Sequence, residues 1–486
     1  MQDHNLTIDS LQSHVQHEAE KWVSPTVEPI EHSAVMDELL QQMTPLDFRA
    51  LVGPEADKLK QKHYLITVVE EVLALAERNQ WGLSRKNGRL YAYNGAYWKE
   101  LLEDDLRAFL QKAAEKFGVD RYDARFAPFG EQLYRQFLSS AYLSSPERSR
   151  DIVKINLANG TFDVGIEGQR LRSFDRKDFL THQLPFAYDP QAEAPLFQAF
   201  LDRVQPDKDC QDLLAEYLGY LFVSPAKLKM EKTLLLYGTG ANGKSVFFEI
   251  VSALLGKENI SHYSLQNLTT EPAYCRAHLA DKLVNYASEI NGKLEANVFK
   301  QLVSGEPVEV RLPFGQPFTI TDYAKMIFNC NELPSDVEHT PAYFRRFLIV
   351  PFKETIPEAE QDRQLATKII ASELSGVFNW VLDGLHRLLK RGCFTDCDAV
   401  REQVEAYKLQ ADSVRTFLAE EGYVPDPERT MTRAELYLHY KSFCQDNGFR
   451  FVHSRNFAKR LEGCGIIGTR RSNGHVHFIS RAHHII

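Results

Sequence analysis

Eight consecutive residues carry the clearest chemistry in this chain: Gly238-Thr239-Gly240-Ala241-Asn242-Gly243-Lys244-Ser245. They fill the pattern G-x-x-x-x-G-K-[ST] completely, directly after the apolar run Thr233-Leu234-Leu235-Leu236-Tyr237. Glycines at this spacing let a backbone wrap its N–H groups around phosphate oxygens. The lysine reaches the outer phosphates of a nucleoside triphosphate, and the hydroxyl after it holds Mg²⁺. Gly238, Gly240, Ala241, Asn242, Gly243, Lys244 and Ser245 are therefore the expected nucleotide-binding residues. Ser245 to Leu255 keeps apolar residues at helical spacing and stops at Gly256, so the sequence predicts strand, loop and helix in that order.

Further chemistry follows downstream. Leu283-Val284-Asn285-Tyr286-Ala287-Ser288-Glu289 is an apolar strand ending in an acid, the arrangement that orients Mg²⁺ or an attacking water. Glu289 is the expected carboxylate, with Ser245 the second metal ligand; Glu249 competes but sits inside the helix after the loop. Leu294 to Leu302 reads as a helix ended by Ser304-Gly305. Pro307–Arg311 and Phe318–Thr321 then flank Pro313-Phe314-Gly315-Gln316 as a hairpin. With Lys300 and Arg311 nearby, that hairpin suits either insertion into a nucleic-acid channel or an ordinary surface. Met326 to Pro334 predicts a buried strand delivering an asparagine amide at its end. Tyr343-Phe344-Arg345-Arg346-Phe347 sets two arginines before another strand, either as a finger for a transferred phosphoryl group or as ion-pair partners.

The elements that must position these residues fall into an α/β pattern. Thr233–Tyr237, Leu283–Ala287, Met326–Asn329 and Phe347–Val350 are short apolar runs suited to a sheet buried on both faces, with helices between them. A chain of 486 residues predicts about three domains. The expected division is an acidic, partly disordered leader over 1–63, an α/β accessory domain over 64–225, the nucleotide core over 226–385, a helical linker over 386–411 and a separate module over 412–486. In the accessory domain, Arg89–Tyr93 and Ala96–Trp98 flank Asn94-Gly95 as a hairpin, and Ile155–Val164 forms a second β patch.

Net charge is −9, unevenly spread: residues 1–60 hold eleven acids and four bases, whereas 447–486 hold seven bases and only Glu462 as an acid. A basic end on an acidic chain points to local nucleic-acid contact. In that end, helices are predicted over Ser413–Glu421 and Thr432–Asn447. A third, capped by Ser454, turns Phe457 and Leu461 inward and leaves Arg455, Lys459 and Arg460 outside. Arg470 to Phe478 reads as a hairpin turning at Asn473-Gly474 and led by Arg470 and Arg471. Three helices and a basic hairpin predict a winged helix, with the third helix in a major groove and the wing on phosphates. Seven scattered cysteines without metal-ligand spacing suggest reduced thiols. With no signal peptide and no long apolar stretch, the expected setting is a soluble protein in the host cytoplasm, with no membrane partner.

The ordered set GTGANGKS, SEI, FKQLVSGEPVEVR, FNCNELP and FRRFLIVPF resembles the superfamily 3 helicases, specifically the phage and plasmid primase-helicase family related to those of poxviruses. The resemblance covers 230–352, with weaker likeness at Tyr91–Trp98 and Asn156–Asp163. It implies an AAA+ fold acting as a ring, expected to be a homo-hexamer, that binds ATP with Mg²⁺ between subunits and moves 3′→5′ on single-stranded or forked DNA. It also implies Glu289 as the acid of the strand tip, Asn331 as the sensor, Arg346, with Arg345, as the finger acting in a neighbour, and Lys300 and Arg311 as DNA contacts. Phe314 and backbone groups would grip DNA at the hairpin tip, which lacks the family's lysine; the strand tip also carries one acid where many ATPases carry two. The expected function is an ATP-dependent DNA helicase for a phage, plasmid or integrated element. The competing readings are an origin-melting initiator or loader, and the helicase part of a primase-helicase. Neither paired polymerase acids nor a zinc module is found before residue 225, so a primase or polymerase would be a separate partner.

Overall fold

The computed structural model describes residues 28–53, 58–86, 88–141, 152–166, 168–288, 290, 294–313, 315–334, 338–449, 451–472 and 474–482. The chain divides into two compact units, one up to Tyr188 and one from Asp189 onward.

In the first unit, helices His32–Gln42, Gln61–Arg78, Glu103–Lys116 and Ala127–Ser140 bury Val35, Leu39, Val68, Val72, Leu106, Leu110, Leu133 and Phe137 in one core. An antiparallel meander of β1 (Gly82–Lys86), β2 (Arg89–Tyr93) and β3 (Trp98–Leu101) lies beside a second sheet of β4 (Val153–Leu157), β5 (Gly160–Val164) and β6 (Gln169–Arg172) in the chain. The Asn94 carboxamide accepts the N–H groups of Ala96 and Tyr97, both at 3.0 Å, so the expected hairpin turns through a local side-chain bond. Residues 1–27 of the expected leader lie outside the described residues. The boundary at 63 does not hold for the rest of it. Val35, Leu39, Met43 and Phe48 belong to the same core as Val68 and Val72, because apolar residues at helical spacing found a face to bury.

The second unit is built on a five-stranded parallel sheet of order β13-β7-β12-β9-β8. Here β7 is Thr233–Tyr237, β8 Ile260–Ser261, β9 Val284–Ala287, β12 Lys325–Cys330 and β13 Phe347–Pro351. The four strands read from apolar runs are all present; β8, two residues long, gives no such signal. Separately, β10 (Val308–Val310) pairs antiparallel with β11 (Phe318–Ile320) as the expected hairpin.

The expected boundaries at 225 and 385 both fall inside one packed assembly. Helix Lys208–Tyr220 lies so close to helix Leu374–Arg391 that a Cβ on Gly219 would stand 2.7 Å from the Leu385 Cβ. A Cβ on Gly384 would stand 2.3 Å from the Ala215 carbonyl carbon. Two helices that touch backbone to backbone belong to one core, whatever the linear spacing between them.

Just past the first of these helices, the Lys325 ammonium donates to the carbonyls of Val223 at 2.7 Å and Leu221 at 3.3 Å, over the Tyr220 ring. Burial lowers its pKa from 10.5 to about 8. The folded chain therefore binds this proton more weakly than the unfolded chain, so the lysine costs stability below pH 8, and the cost fades as pH rises from 8 to 10.5. The expected result is that the wild type gains stability relative to Lys325→Met between pH 7 and about pH 9.5. Urea midpoints of both chains at the two pH values measure it, and a gap that stays constant would count against the desolvated ammonium.

Residues after Asp412 fold as helices Ser413–Glu420, Arg433–Asp446 and Ser454–Gly463 with an antiparallel sheet of order β14-β16-β15. Leu436, Tyr440, Phe443, Phe457 and Leu461 face the core as expected, and Tyr440 stacks on Phe457 at 4.6 Å. Strands β15 (Gly468–Arg471) and β16 (Gly474–Arg481) form the expected hairpin. Its third strand, β14 (Tyr423–Thr432), is unsignalled because Pro425-Asp-Pro427 reads as loop; the pairing slips between Pro425 and Thr430. Ser454 opens its helix but is not its cap. His453 takes that place, accepting the Arg455 N–H through Nδ1 at 3.4 Å.

Candidate functional site

The loop between β7 and helix Lys244–Leu255 takes left-handed backbone at Gly240, Ala241 and Gly243 (φ 113°, 50° and 82°). Such turns aim successive N–H groups into one concavity, the geometry that receives an anion. Gly243 is required twice over, by its positive φ and by Val204, whose Cγ1 would lie 2.5 Å from an added Cβ.

Lys244 is buried. Its ammonium donates to the Gly238 carbonyl at 2.6 Å and to the Asn242 Oδ1 at 2.9 Å. Asn242 is itself held by donating Nδ2 to the Phe352 carbonyl at 3.1 Å. Backbone bonds clamp the loop from outside: Gly238 N–H to Cys330 O at 3.1 Å, Phe352 N–H to Tyr237 O at 2.7 Å and Ile356 N–H to Ala241 O at 2.8 Å. The lysine is thus pre-placed against the loop, and no carboxylate among the described residues pairs with it. Burial pulls its pKa below the ordinary lysine range, a cost that a nearby anion would offset. Ser245, in the first helical turn, is exposed. The residues present fit a polyphosphate: a loop of left-handed backbone, a lysine with no carboxylate partner among the described residues and one exposed hydroxyl.

Register places the remaining candidates. Cys330 pairs with Tyr237, so Asn331, exposed at the end of β12, lies level with the start of the loop. The other asparagine of that strand, Asn329, is buried and accepts from the Tyr286 hydroxyl at 3.0 Å, which ties β12 to β9. Ser288 is exposed past the end of β9; Glu289 lies outside the described residues, as does Phe314.

Arg345 and Arg346 are not brought to the loop. Phe347 pairs with Thr233, so they precede β13 at the opposite end of the sheet, about 16 Å from the loop at strand rise. Arg346 is buried. It donates to the Ser304 Oγ at 2.9 Å and to the Ala342 carbonyl, and stands 3.8 Å from Glu231. Arg345 keeps 61% of its side chain exposed and pairs with Glu231 at 2.7 Å. Glu231 and Ser304, which hold the two arginines, carried no sequence signal, since nothing in their spacing links them to 345–346.

Of the expected nucleic-acid contacts, Lys300 is committed to Glu338 at 2.8 Å, and Arg460 to the buried Asp412 at 3.2 Å. Neither is a free cation. Arg311 is exposed at the hairpin, 5.5 Å over the Tyr274 ring. Arg455, Lys459, Arg470 and Arg471 are exposed, Arg471 lying 5.6 Å over the Phe478 ring.

Residues 70–206 match a family described as D5 N terminal like, and residues 236–346 match a family of unknown function, DUF5906. The chain is 22% identical over 337 residues to "Putative helicase 121R" of Invertebrate iridescent virus 3, spanning 60% of this chain and 34% of that protein. It is 24% identical over 160 residues to "Putative helicase L207/L206" of Acanthamoeba polyphaga mimivirus, spanning 32% of this chain and 16% of that one. The chain therefore spans about a third or less of these relatives. The apo structure of the NrS-1 C terminal region (305-718) aligns with 87% of this chain and all of its own, at 11% identity and a TM-score of 0.44. Among the described residues no helix is long and apolar enough to cross a membrane.

Proposed function

We propose that this chain is an ATP-dependent DNA helicase of the superfamily 3 type, with an AAA+ core, a winged helix at its end and a working form that is a ring of six copies. The observation that carries this reading is the separation of loop and arginines by the full length of the sheet. A transferred phosphoryl group in the Gly238–Ser245 loop needs a cation that this chain cannot supply from Arg345 in cis, whereas a neighbouring copy presenting its opposite sheet end can. The similarity to proteins named helicases supports the same class of activity.

In this reading the loop N–H groups and Lys244 hold the phosphates of ATP, Ser245 and Glu289 hold Mg²⁺, and Asn331 orients the attacking water. Hydrolysis of ATP supplies the energy for 3′→5′ movement on single-stranded DNA. Arg345 is assigned the finger and Arg346 a supporting place, since only Arg345 reaches solvent. Arg311 contacts DNA from the hairpin, and Arg455, Lys459, Arg470 and Arg471 contact it from the winged helix, while Lys300 and Arg460 brace their own elements. A primase or polymerase would be a separate partner.

The test uses the wild-type chain with forked DNA substrates whose single-stranded arm has either polarity. ATP-dependent displacement from the 3′ arm is the expected result. Binding and local melting of duplex with no displacement from either arm would replace this reading by that of an initiator or loader.

A further inference from the structure

Cys210 and Cys397 are 187 positions apart in sequence, yet their sulfurs lie 3.0 Å from each other. Both are buried. Cys210 stands in the first turn of helix Lys208–Tyr220, and Cys397 immediately precedes helix Asp398–Gln410, so two helix N-termini converge on the pair. Asp207 caps the first helix through Oδ1 and leaves Oδ2 3.9 Å from the Cys397 sulfur.

These three side chains offer two sulfurs and one oxygen within 4.8 Å of one another, which raises a metal site as the first alternative. The geometry disfavours it. Two thiolates on a tetrahedral zinc at about 2.3 Å would stand roughly 3.8 Å apart, and a structural ion takes four ligands where three are present among the described residues. A sulfur pair 3.0 Å apart needs to close by about 1 Å to reach a covalent S–S bond.

We propose that Cys210 and Cys397 are a modification site, forming a reversible intramolecular disulfide when the protein meets a peroxide. One sulfur attacks an oxygen of hydrogen peroxide, the O–O bond breaks, a sulfenic acid forms and one water leaves. The second sulfur attacks the first, the S–S bond forms, and the hydroxyl departs with the remaining thiol proton as a second water. Two thiols lose two electrons and two protons, and the peroxide is reduced to two waters. Burial, with the adjoining Cys397 sulfur, holds the Cys210 thiol well above its ordinary range, so the exposed Cys393 reacts before the pair does.

The bond would tie the helix ahead of β7 to helix Asp398–Gln410. That second helix packs Tyr407 against Phe344 at 5.3 Å and Phe347 at 5.9 Å, and leads through Asp412 to the terminal module. It would also enclose the whole nucleotide core in one covalent loop, which constrains the unfolded chain.

The test uses the full chain in a Cys393→Ser background, because Cys393 and Cys397 share one tryptic peptide. Reduced protein is treated with rising hydrogen peroxide, denatured in an alkylating reagent and digested without reduction. The expected product joins the peptide holding Cys210 to that holding Cys397, with the loss of two free thiols, reversal by dithiothreitol and a rise of several degrees in the thermal midpoint. Cys210→Ala and Cys397→Ala, each checked for folding by its own reduced midpoint, should abolish both the product and the rise. Three outcomes overturn the proposal: both thiols alkylated as free after oxidation, Cys210 joined to another cysteine, or stoichiometric zinc retained on the reduced chain with both thiols protected.

Discussion

Lys244→Ala is expected to abolish nucleotide hydrolysis and every ATP-dependent act of this chain, with a loss of at least about 10²–10³-fold in turnover. The lysine is the cation pre-placed on the loop, held by the Gly238 carbonyl and by an asparagine that is pinned in turn to Phe352. Alanine removes the charge that would meet the outer phosphates and leaves the Asn242 Oδ1 without its donor. The stability cost of the latter is about 1–3 kcal/mol, so the folded fraction must be measured beside the rate. Phosphate release and nucleotide binding by calorimetry, on variant protein that still unfolds cooperatively, make the check. Hydrolysis within tenfold of the wild type would remove the loop from the centre of the reaction.

The second large effect separates two adjacent arginines. Arg345→Ala should lower hydrolysis by the 10³–10⁵-fold typical of a lost finger while nucleotide binding holds. The arginine side chain is 61% exposed even in its pair with Glu231, so folding should change little. Arg346→Ala should act chiefly on folding. It empties a buried position bonded to Ser304 and Ala342 beside Glu231, a type of loss that costs about 3–5 kcal/mol. Mixing Arg345→Ala with Lys244→Ala subunits tests the trans geometry, since each copy supplies what the other lacks at one shared boundary. Recovered hydrolysis in the mixture is the expected result. Equal losses of rate in both arginine variants, with no change in either melting curve, would return the finger to Arg346.

Much of the core is legible in the residues themselves. A phosphate-binding loop would demand glycines and a lysine at fixed spacing, and parallel strands buried on both faces must be continuous apolar runs; Thr233–Tyr237 and Phe347–Val350 announce themselves for that reason. Helix ends were legible where a glycine stops them, as at Gly256. Strand β14 was not, because its pairing with β16 outweighs two prolines that locally argue for a loop.

The amino-acid sequence alone determined that a glycine-rich loop carrying Lys244 sits between a strand and a helix, because that pattern is local and is written in neighbouring residues. Only the tertiary structure decided which cations are free. Lys300, Arg460 and Arg346 look as available as Arg311 in the sequence, yet Glu338, Asp412 and Ser304 claim them across 38, 48 and 42 positions. The same holds for the sulfur pair Cys210–Cys397. Charge and reactivity depend on the partner, and the partner is chosen by packing between distant elements.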